Sequence, residues 1–378
     1  MSGAYDVDPD NARASCKRLG IDVPLFESPE AMLRRTRPDA AIIASFDNAH
    51  LENFESLAGF DIPVMIEKPL EASLDRAHRL ASLAEKRSSP VLVAHNMRFA
   101  PILQRARDIL RQGIIGRINS FRFENNVHYG HLYFRNWMRL RKNVGDILVE
   151  KGAHDLDILH MLTGSRTVSV YAKSRRFEYG GEYPNDLQCR TCQDRTTCRD
   201  SVGNYSFGVE GTTIQETMSK NSPDLCVYAK EIDITDDNVC IVELENGAHG
   251  TYVQTLYTPK SYKSRIYTLV GTLGMLEIDL DEYAGELRTY KRYGSKNDVA
   301  TEIFDYHQRQ HYNADHYLTR HFYDVMAGKA EPECTVADGL AAVEAAMGAV
   351  TSADSGLPVA CGETIKNTGK KSALEARS

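Results

Sequence analysis

Short apolar runs alternate with amphipathic stretches over the first hundred residues. Val64-Met65-Ile66 is one such run, followed by Glu67-Lys68 and stopped by Pro69. A strand covered on both faces is continuously apolar, so this run predicts a buried parallel strand. Residues 40–44 form a second run and end in Ser45-Phe46-Asp47-Asn48-Ala49-His50. Residues 91–94 form a third and end in His95-Asn96-Met97-Arg98. Residues 3–6 read as the end of a further strand. Helices are expected between these runs. Asp8 caps the first, with Pro9 at its first position and Gly20 at its end. Ser28-Pro29 opens a short one to about residue 36. Residues 48–57 place Leu51, Phe54 and Leu57 on one face. Ser73 opens another, with Leu74, Ala77, Leu80, Ala81 and Ala84 at helical spacing. Residues 102–113 form the next.

Past residue 100 the rhythm lengthens. Residues 117–127 alternate as a strand with one buried face, and 238–244, 250–256, 265–271 and 274–280 are further strands. Asn246-Gly247 and Thr272-Leu273-Gly274 turn between them. Gly164 ends a helix that starts near residue 150, and another helix runs from 311 to about 326. Thr335-Val336-Ala337-Asp338 has capping-box spacing and opens the last helix, which Gly356 and Pro358 close. The pattern predicts an α/β fold. A Rossmann-type, doubly wound parallel sheet occupies residues 1–100. An α+β domain with a large, mostly antiparallel open sheet follows over residues 101–361. Residues 362–378 are polar and lysine-rich, and disorder is expected there.

Composition narrows the classes. A chain of 378 residues with 42% hydrophobic and 26% charged residues is an ordinary globular protein. Its net charge of −7 gives no basic field for nucleic acid. No unbroken apolar run approaches the ~20 residues of a membrane span. The start, Met-Ser-Gly-Ala-Tyr-Asp, lacks the basic and apolar regions of a signal peptide, and a cytoplasmic location is expected. Eight cysteines at this length do not suggest a disulfide scaffold.

Four stretches carry candidate chemistry. Lys68 ends a parallel strand, where open α/β sheets bind ligands, and is either a desolvated cation or a solvated strand end. On a continuous helix Glu150, His154 and Asp157 share one face. A histidine between two carboxylates has the raised proton affinity and fixed orientation of a general base, and the alternative is a satisfied polar helix face. The loop with His128, Tyr129, His131, Tyr133, Arg135, Trp137, Arg139 and Arg141 suits sugar stacking and hydroxyl recognition, or packs as an ordinary surface loop. Cys189, Cys192 and Cys198 have the spacing of one metal corner, or are thiols in a surface excursion. No fourth ligand lies close to them in sequence, so structural zinc is not favoured and no metal is expected.

Together these residues resemble the Gfo/Idh/MocA family of nicotinamide-dependent sugar and inositol oxidoreductases. The resemblance covers nearly the whole chain and rests on Glu67-Lys68-Pro69 and on the family pattern G-G-x-x-x-D-x-G-x-H-x-x-D. Gly152, His154 and Asp157 match that pattern. Gly145 keeps one of its paired glycines, and Glu150 stands where the family most often has Asp. Some members also carry a C-x-x-C…C insert. The resemblance implies hydride transfer between NAD(P) and a hydroxyl-bearing carbon of a sugar, inositol or related polyol. Lys68 and His154 would be catalytic and Glu150 would orient His154. Cofactor contacts are implied for Asp6, Ser45, Asn48, His50, Glu67, Lys68 and Asn96, with Asp6 favouring NAD over NADP. Substrate contacts are implied for Arg98, Trp137, Arg139, Asp157 and His311, with Asp315 beside it, and a homodimer or homotetramer through the open sheet. Two other readings are an NAD-dependent glycosidase of the same fold and a non-catalytic ligand- or partner-binding protein. The family's first strand and G-x-G-x-x-G turn do not occur in this sequence. The expectation is that roughly 30 residues carrying them precede Met1, and that this shorter form is poorly stable and binds NADH weakly.

Overall fold

The computed structural model describes residues 1–202, 224–281, 283–306 and 310–362. Three short runs, β1 (Ala41–Ile43), β2 (Val64–Ile66) and β3 (Val91–Val93), pair in parallel in the order β1-β2-β3. Every residue of β2 and β3 is buried, whereas Ile42 on the edge strand is 58% exposed. The helices α1 (Pro9–Leu19), α2 (Pro29–Thr36), α3 (His50–Glu55) and α4 (Leu74–Ala84) join and cover these strands. Their sequence-encoded caps form. Asp8 accepts hydrogen bonds from the backbone N–H of Asp10 and Asn11, Ser28 from that of Ala31, and Gly20 takes the left-handed conformation. Residues 3–6 are a correction, because they do not enter the sheet. Ala4 makes a single bridge to Leu25, and β1 has no neighbour on its outer side among the described residues.

α5 (Pro101–Arg111) leads into β4 (Ile118–Asn126), the middle of a nine-stranded sheet. Its other strands are β5 (Thr167–Arg175), β6 (Asp237–Leu244), β7 (His249–Thr255), β8 (Arg265–Gly271), β9 (Gly274–Leu280), β10 (Ala284–Lys291), β11 (Val299–Asp305) and β12 (Val359–Ala360). The order is β11-β10-β9-β8-β4-β7-β6-β5-β12, antiparallel except for the β4–β7 pair.

The expected helix from residue 150 is two helices. Between α6 (Arg141–Val144) and the sheet lie α7 (Ile147–Glu150) and α8 (Gly152–Thr163), separated at Lys151. Two helices close the chain, α9 (Ala314–Met326) and α10 (Val336–Ser355). By length and composition α10 passes the test for a membrane span, but most of it is buried inside the protein. Its small residues let it lie close to both sheets. A Cβ on Gly339 would meet Val93 of β3, and one on Gly348 would meet Val170 of β5 and Cys361. Just before α10 the carbonyl of Cys334 accepts the N–H of Val93 at 3.0 Å, closing the outer side of β3. One hydrophobic core therefore runs through both sheets. The tail expected to be disordered lies outside the described residues, Gly362 excepted.

Candidate active site

The chain leaving β1, β2 and β3 turns toward the junction of α7 and α8. His50 fixes two of these exits. Its buried ring puts Nδ1 3.0 Å from the carbonyl of Pro69 and Nε2 3.3 Å from that of Ser45. His50 is thus a strut with both nitrogens facing backbone carbonyls.

Lys68 points away from β2 to Glu150. Its Nζ lies 2.9 Å from each carboxylate oxygen of Glu150 and 3.0 Å from the Glu150 carbonyl. Glu150 is delivered by a turn that needs glycine. Gly145 has φ 78°, and a Cβ there would lie 2.4 Å from the Ala72 carbonyl. Asp146 then caps α7 through the N–H of Leu148 and bonds Arg141 and Thr235. Burial pulls the proton affinity of Lys68 down, but Glu150 and Asp47 outweigh it and the ammonium is held more firmly than usual.

Asp47 was not expected here. It is buried, its Oδ2 has no hydrogen-bond partner, and burial followed by the charge of Glu150 pushes its carboxyl well above the ordinary range. The sequence did hold a signal, since Asp47 closes β1 as Lys68 closes β2.

His154 reverses an expectation. Glu150 pairs with Lys68 and Asp157 with Arg98, so neither carboxylate is a hydrogen-bond partner of the imidazole. Burial and then the charges of Lys68, Lys151, His311 and His95 push its pKa well below 6.5. The ring is neutral, and its buried Nδ1 has no partner. It stands 6.1 Å, centroid to centroid, from both His95 and His311. Nδ1 of His311 is 2.9 Å from Asp315, whose other oxygen accepts from Asn96 at 2.6 Å. The half-buried Glu67 has its carboxyl raised by burial, against the pull of the Lys68 and His311 charges. The structure thus brings Lys68, Glu150, His154, His311, Asn96 and Glu67 together.

Other expected residues are employed elsewhere. Arg98 is 6% exposed and gives Nε and Nη2 to the two oxygens of Asp157 at 2.8 and 2.6 Å, and Nη1 to the Glu333 carbonyl at 2.7 Å. The two residues form a buried clamp between α8 and the segment before α10. His95, Asp157 and Cys334 are the one trio of ligand atoms within 4.8 Å of one another among the described residues. Arg98 already covers both Asp157 oxygens, so a dication would face a guanidinium there. Arg139 is buried and bonds the Asn185 carbonyl and Glu231 through Nη2, tying residues 185–231 to the site loop, while its Nη1 has no partner. Trp137 packs on Phe46 with centroids 4.4 Å apart. Ser45 accepts from Asn53, and Asn48 reaches the Lys142 carbonyl at 3.5 Å. Asp6 uses its two oxygens on the Asp8 N–H and the Asn11 amide, both at 2.9 Å.

A second buried cluster was missed. Lys151 donates to the Tyr129 hydroxyl at 2.6 Å. Burial raises that phenol, but the Lys151 and Arg265 charges lower it below its ordinary value. Asp155 accepts from Asn125, Tyr252, Arg265 and Tyr267. These partners sit on three different strands, so no local spacing announces them.

Two family models match, "Oxidoreductase family, NAD-binding Rossmann fold" over residues 1–95 and "Oxidoreductase family, C-terminal alpha/beta domain" over residues 107–361. The chain belongs to the Gfo/Idh/MocA oxidoreductase family. Within it, YteT of Bacillus subtilis is 27% identical over 300 residues, 73% of this chain and 69% of its own. D-Apiose dehydrogenase of Paraburkholderia graminis is 30% identical over 175 residues, 45% of this chain and 44% of its own. Among solved structures, levoglucosan dehydrogenase in complex with NADH and levoglucosan superposes with a TM-score of 0.73 at 16% identity, covering 95% of this chain and 90% of the other. That likeness is one of fold.

Proposed function

We propose that this Gfo/Idh/MocA protein moves a hydride between a nicotinamide cofactor and a hydroxyl-bearing carbon of a sugar, inositol or related polyol. The observation that carries the reading is the Lys68–Glu150 pair beside a neutral, unbonded His154. The names of D-apiose dehydrogenase and levoglucosan dehydrogenase support the substrate class.

The buried polar atoms without partners fit a nicotinamide carboxamide. Asp47 Oδ2 and Asn96 Oδ1 lie past the ends of β1 and β3, where an amide can donate to them. Asn96, Glu67 and Lys68 would hold that end, and the Phe46–Trp137 pair would border it. NAD is proposed over NADP, because the Asp6 carboxylate would repel a ribose phosphate. When bound, the cofactor supplies the hydride acceptor. The protein then has to manage one proton and one developing negative charge. Neutral His154 accepts the hydroxyl proton at Nδ1. The Lys68 ammonium donates to the same oxygen and stabilises the charge that grows there. Glu150 keeps Lys68 charged and in place, and His311 borders the substrate. A homo-oligomer is proposed through the outer face of the large sheet, where Val239 and Ile241 of β6 are 44% and 55% exposed.

The test is cofactor reduction by the full chain across a panel of sugars and polyols. Lys68→Ala and His154→Ala should each lower turnover by roughly a hundredfold or more. Turnover near that of the parent in both would sink the assignment. Release of free sugar without net cofactor reduction would replace dehydrogenation by glycoside cleavage.

A further inference from the structure

The excursion between β5 and β6 brings a fourth cysteine to the three that the sequence groups. Gln188 and Leu225 form an antiparallel bridge, with the Cys189 N–H on the Asp224 carbonyl and the Cys226 N–H on the Leu187 carbonyl, both at 2.8 Å. Directly opposed residues of an antiparallel pair share a face. Leu187 and Cys189 therefore face the same side as their opposites, Cys226 and Asp224. Cys189 and Cys226 are diagonal neighbours there, with Cβ atoms within about 7 Å. Cys192 returns to the same place through a turn in which its N–H meets the Cys189 carbonyl. Cys198 follows a second turn, closed by its N–H on Asp194. No disulfide joins any of the eight cysteines.

We propose that Cys189, Cys192, Cys198 and Cys226 bind one structural zinc ion. The resulting sequence, C-x2-C-x5-C-x27-C, supplies the four sulfurs of a closed tetrahedral site. Binding is balanced as four thiols and Zn²⁺ giving a zinc tetrathiolate and four protons. Donors for the thiolates stand ready. The Tyr228 N–H points at Cys226 Sγ from 3.4 Å, and Arg135 Nη1 lies 3.2 Å from Cys189 Sγ. Asp224, on the same face, is already held by Arg190, so it does not compete as a ligand. The four sulfurs are not gathered within 4.8 Å of one another as the atoms of the His95 trio are, so binding requires their side chains to turn inward.

The site would brace the candidate active site. Arg135, beside Cys189, also bonds the Asp200 carbonyl, and Arg139 bonds Asn185 and Glu231 of the same excursion. Tyr179, Val227, Ala229, Ile232 and Ile234 of the excursion pack against Tyr133, Phe134 and Met138 of the site loop. The ion thus fixes the outer layer of the loop that carries Trp137.

The full chain, purified without chelator, should hold about one zinc per molecule by elemental analysis, released on titration of four thiols. Cys226→Ser and Cys189→Ser should fall to near zero. Cys16→Ser, on α1, should keep the metal. Cys226→His, which retains a ligand, should recover most of it, and so separates ligation from misfolding. Cobalt in place of zinc should show the visible bands of a tetrahedral tetrathiolate. Zinc retained in Cys226→Ser, iron in its place, a disulfide among the four, or metal-free protein of unchanged stability would each overturn the proposal.

Discussion

All three N–H bonds of the Lys68 ammonium go to Glu150, two to its carboxylate and one to its own carbonyl. A substrate hydroxyl reaches that ammonium only by taking the place of one of them. Glu150 therefore acts on the reaction through Lys68. Glu150→Gln keeps the shape and removes the charge that holds the proton. Lys68 should then titrate lower, and turnover should fall roughly tenfold or more. The pH dependence of turnover checks this, and an unmoved alkaline limb would show that Glu150 does not hold the ammonium.

Asp47 predicts a contrast. Its carboxyl is raised well above the ordinary range by burial and by Glu150, so it holds a proton that an exposed carboxyl would release. Asp47→Asn should leave melting temperature and turnover almost unchanged at pH 7, within about 0.5 kcal/mol, the range of substitutions that break nothing. A large loss would mean that Asp47 works as an anion.

His154 should stay neutral at pH 6.5 and well below, because burial and the charges of Lys68 and Lys151 oppose its protonation. Nitrogen chemical shifts of the imidazole through a pH titration measure this without any substrate. A midpoint near 7 would restore the carboxylate-flanked histidine that the sequence suggested.

Arg98→Ala should act on stability before activity. It leaves Asp157, completely buried, without its bidentate partner. Breaking such a pair costs about 3–5 kcal/mol. Denaturant unfolding should show the loss, and Arg98→Ala with Asp157→Asn should recover part of it. A raised KM at unchanged stability would return Arg98 to the substrate site.

Stability should fall as pH drops from 6.5 toward 4. Burial lowers His160 to about 4 and His131 to about 3. Above pH 6.5 both folded and unfolded chains carry neutral rings, so these groups contribute nothing to pH dependence. Below it the unfolded chain takes up protons that the folded chain refuses, at up to about 1.4 kcal/mol per unit for a fully buried ring. Thermal melting across this range checks the slope, and a flat profile would mean that the rings are solvated.

The sequence was legible where a local rule decides the outcome. The apolar run at Val64–Ile66 and the caps at Asp8 and Thr335 formed as spacing demands. Four strands between residues 237 and 280 lie within one residue of expectation, because Gly247 and Thr272-Leu273 mark their turns. β11 was missed because its exposed and half-buried positions carry no clean alternation. The site was half legible. Lys68 and His154 came from motif and strand-end position. The partners differ because Glu150 and Asp157 pair with Lys68 and Arg98, which lie far from them in sequence. Arg98 and Asp157 looked available in sequence only because each hid the other, 59 residues away.

The hydrogen bond from Val93 to Cys334 has a consequence for any attempt to divide this protein. The hydrophobic rhythm changes near residue 100, and a genetic cut there looks natural. Such a cut would bare the outer backbone of β3, remove the helix that lies on Val93, and strand Arg98 without Asp157. The two halves are neighbours along the chain but a single piece in space. Exchanging the first hundred residues between relatives would succeed only if the stretch around Cys334 and the helix after it travelled with them.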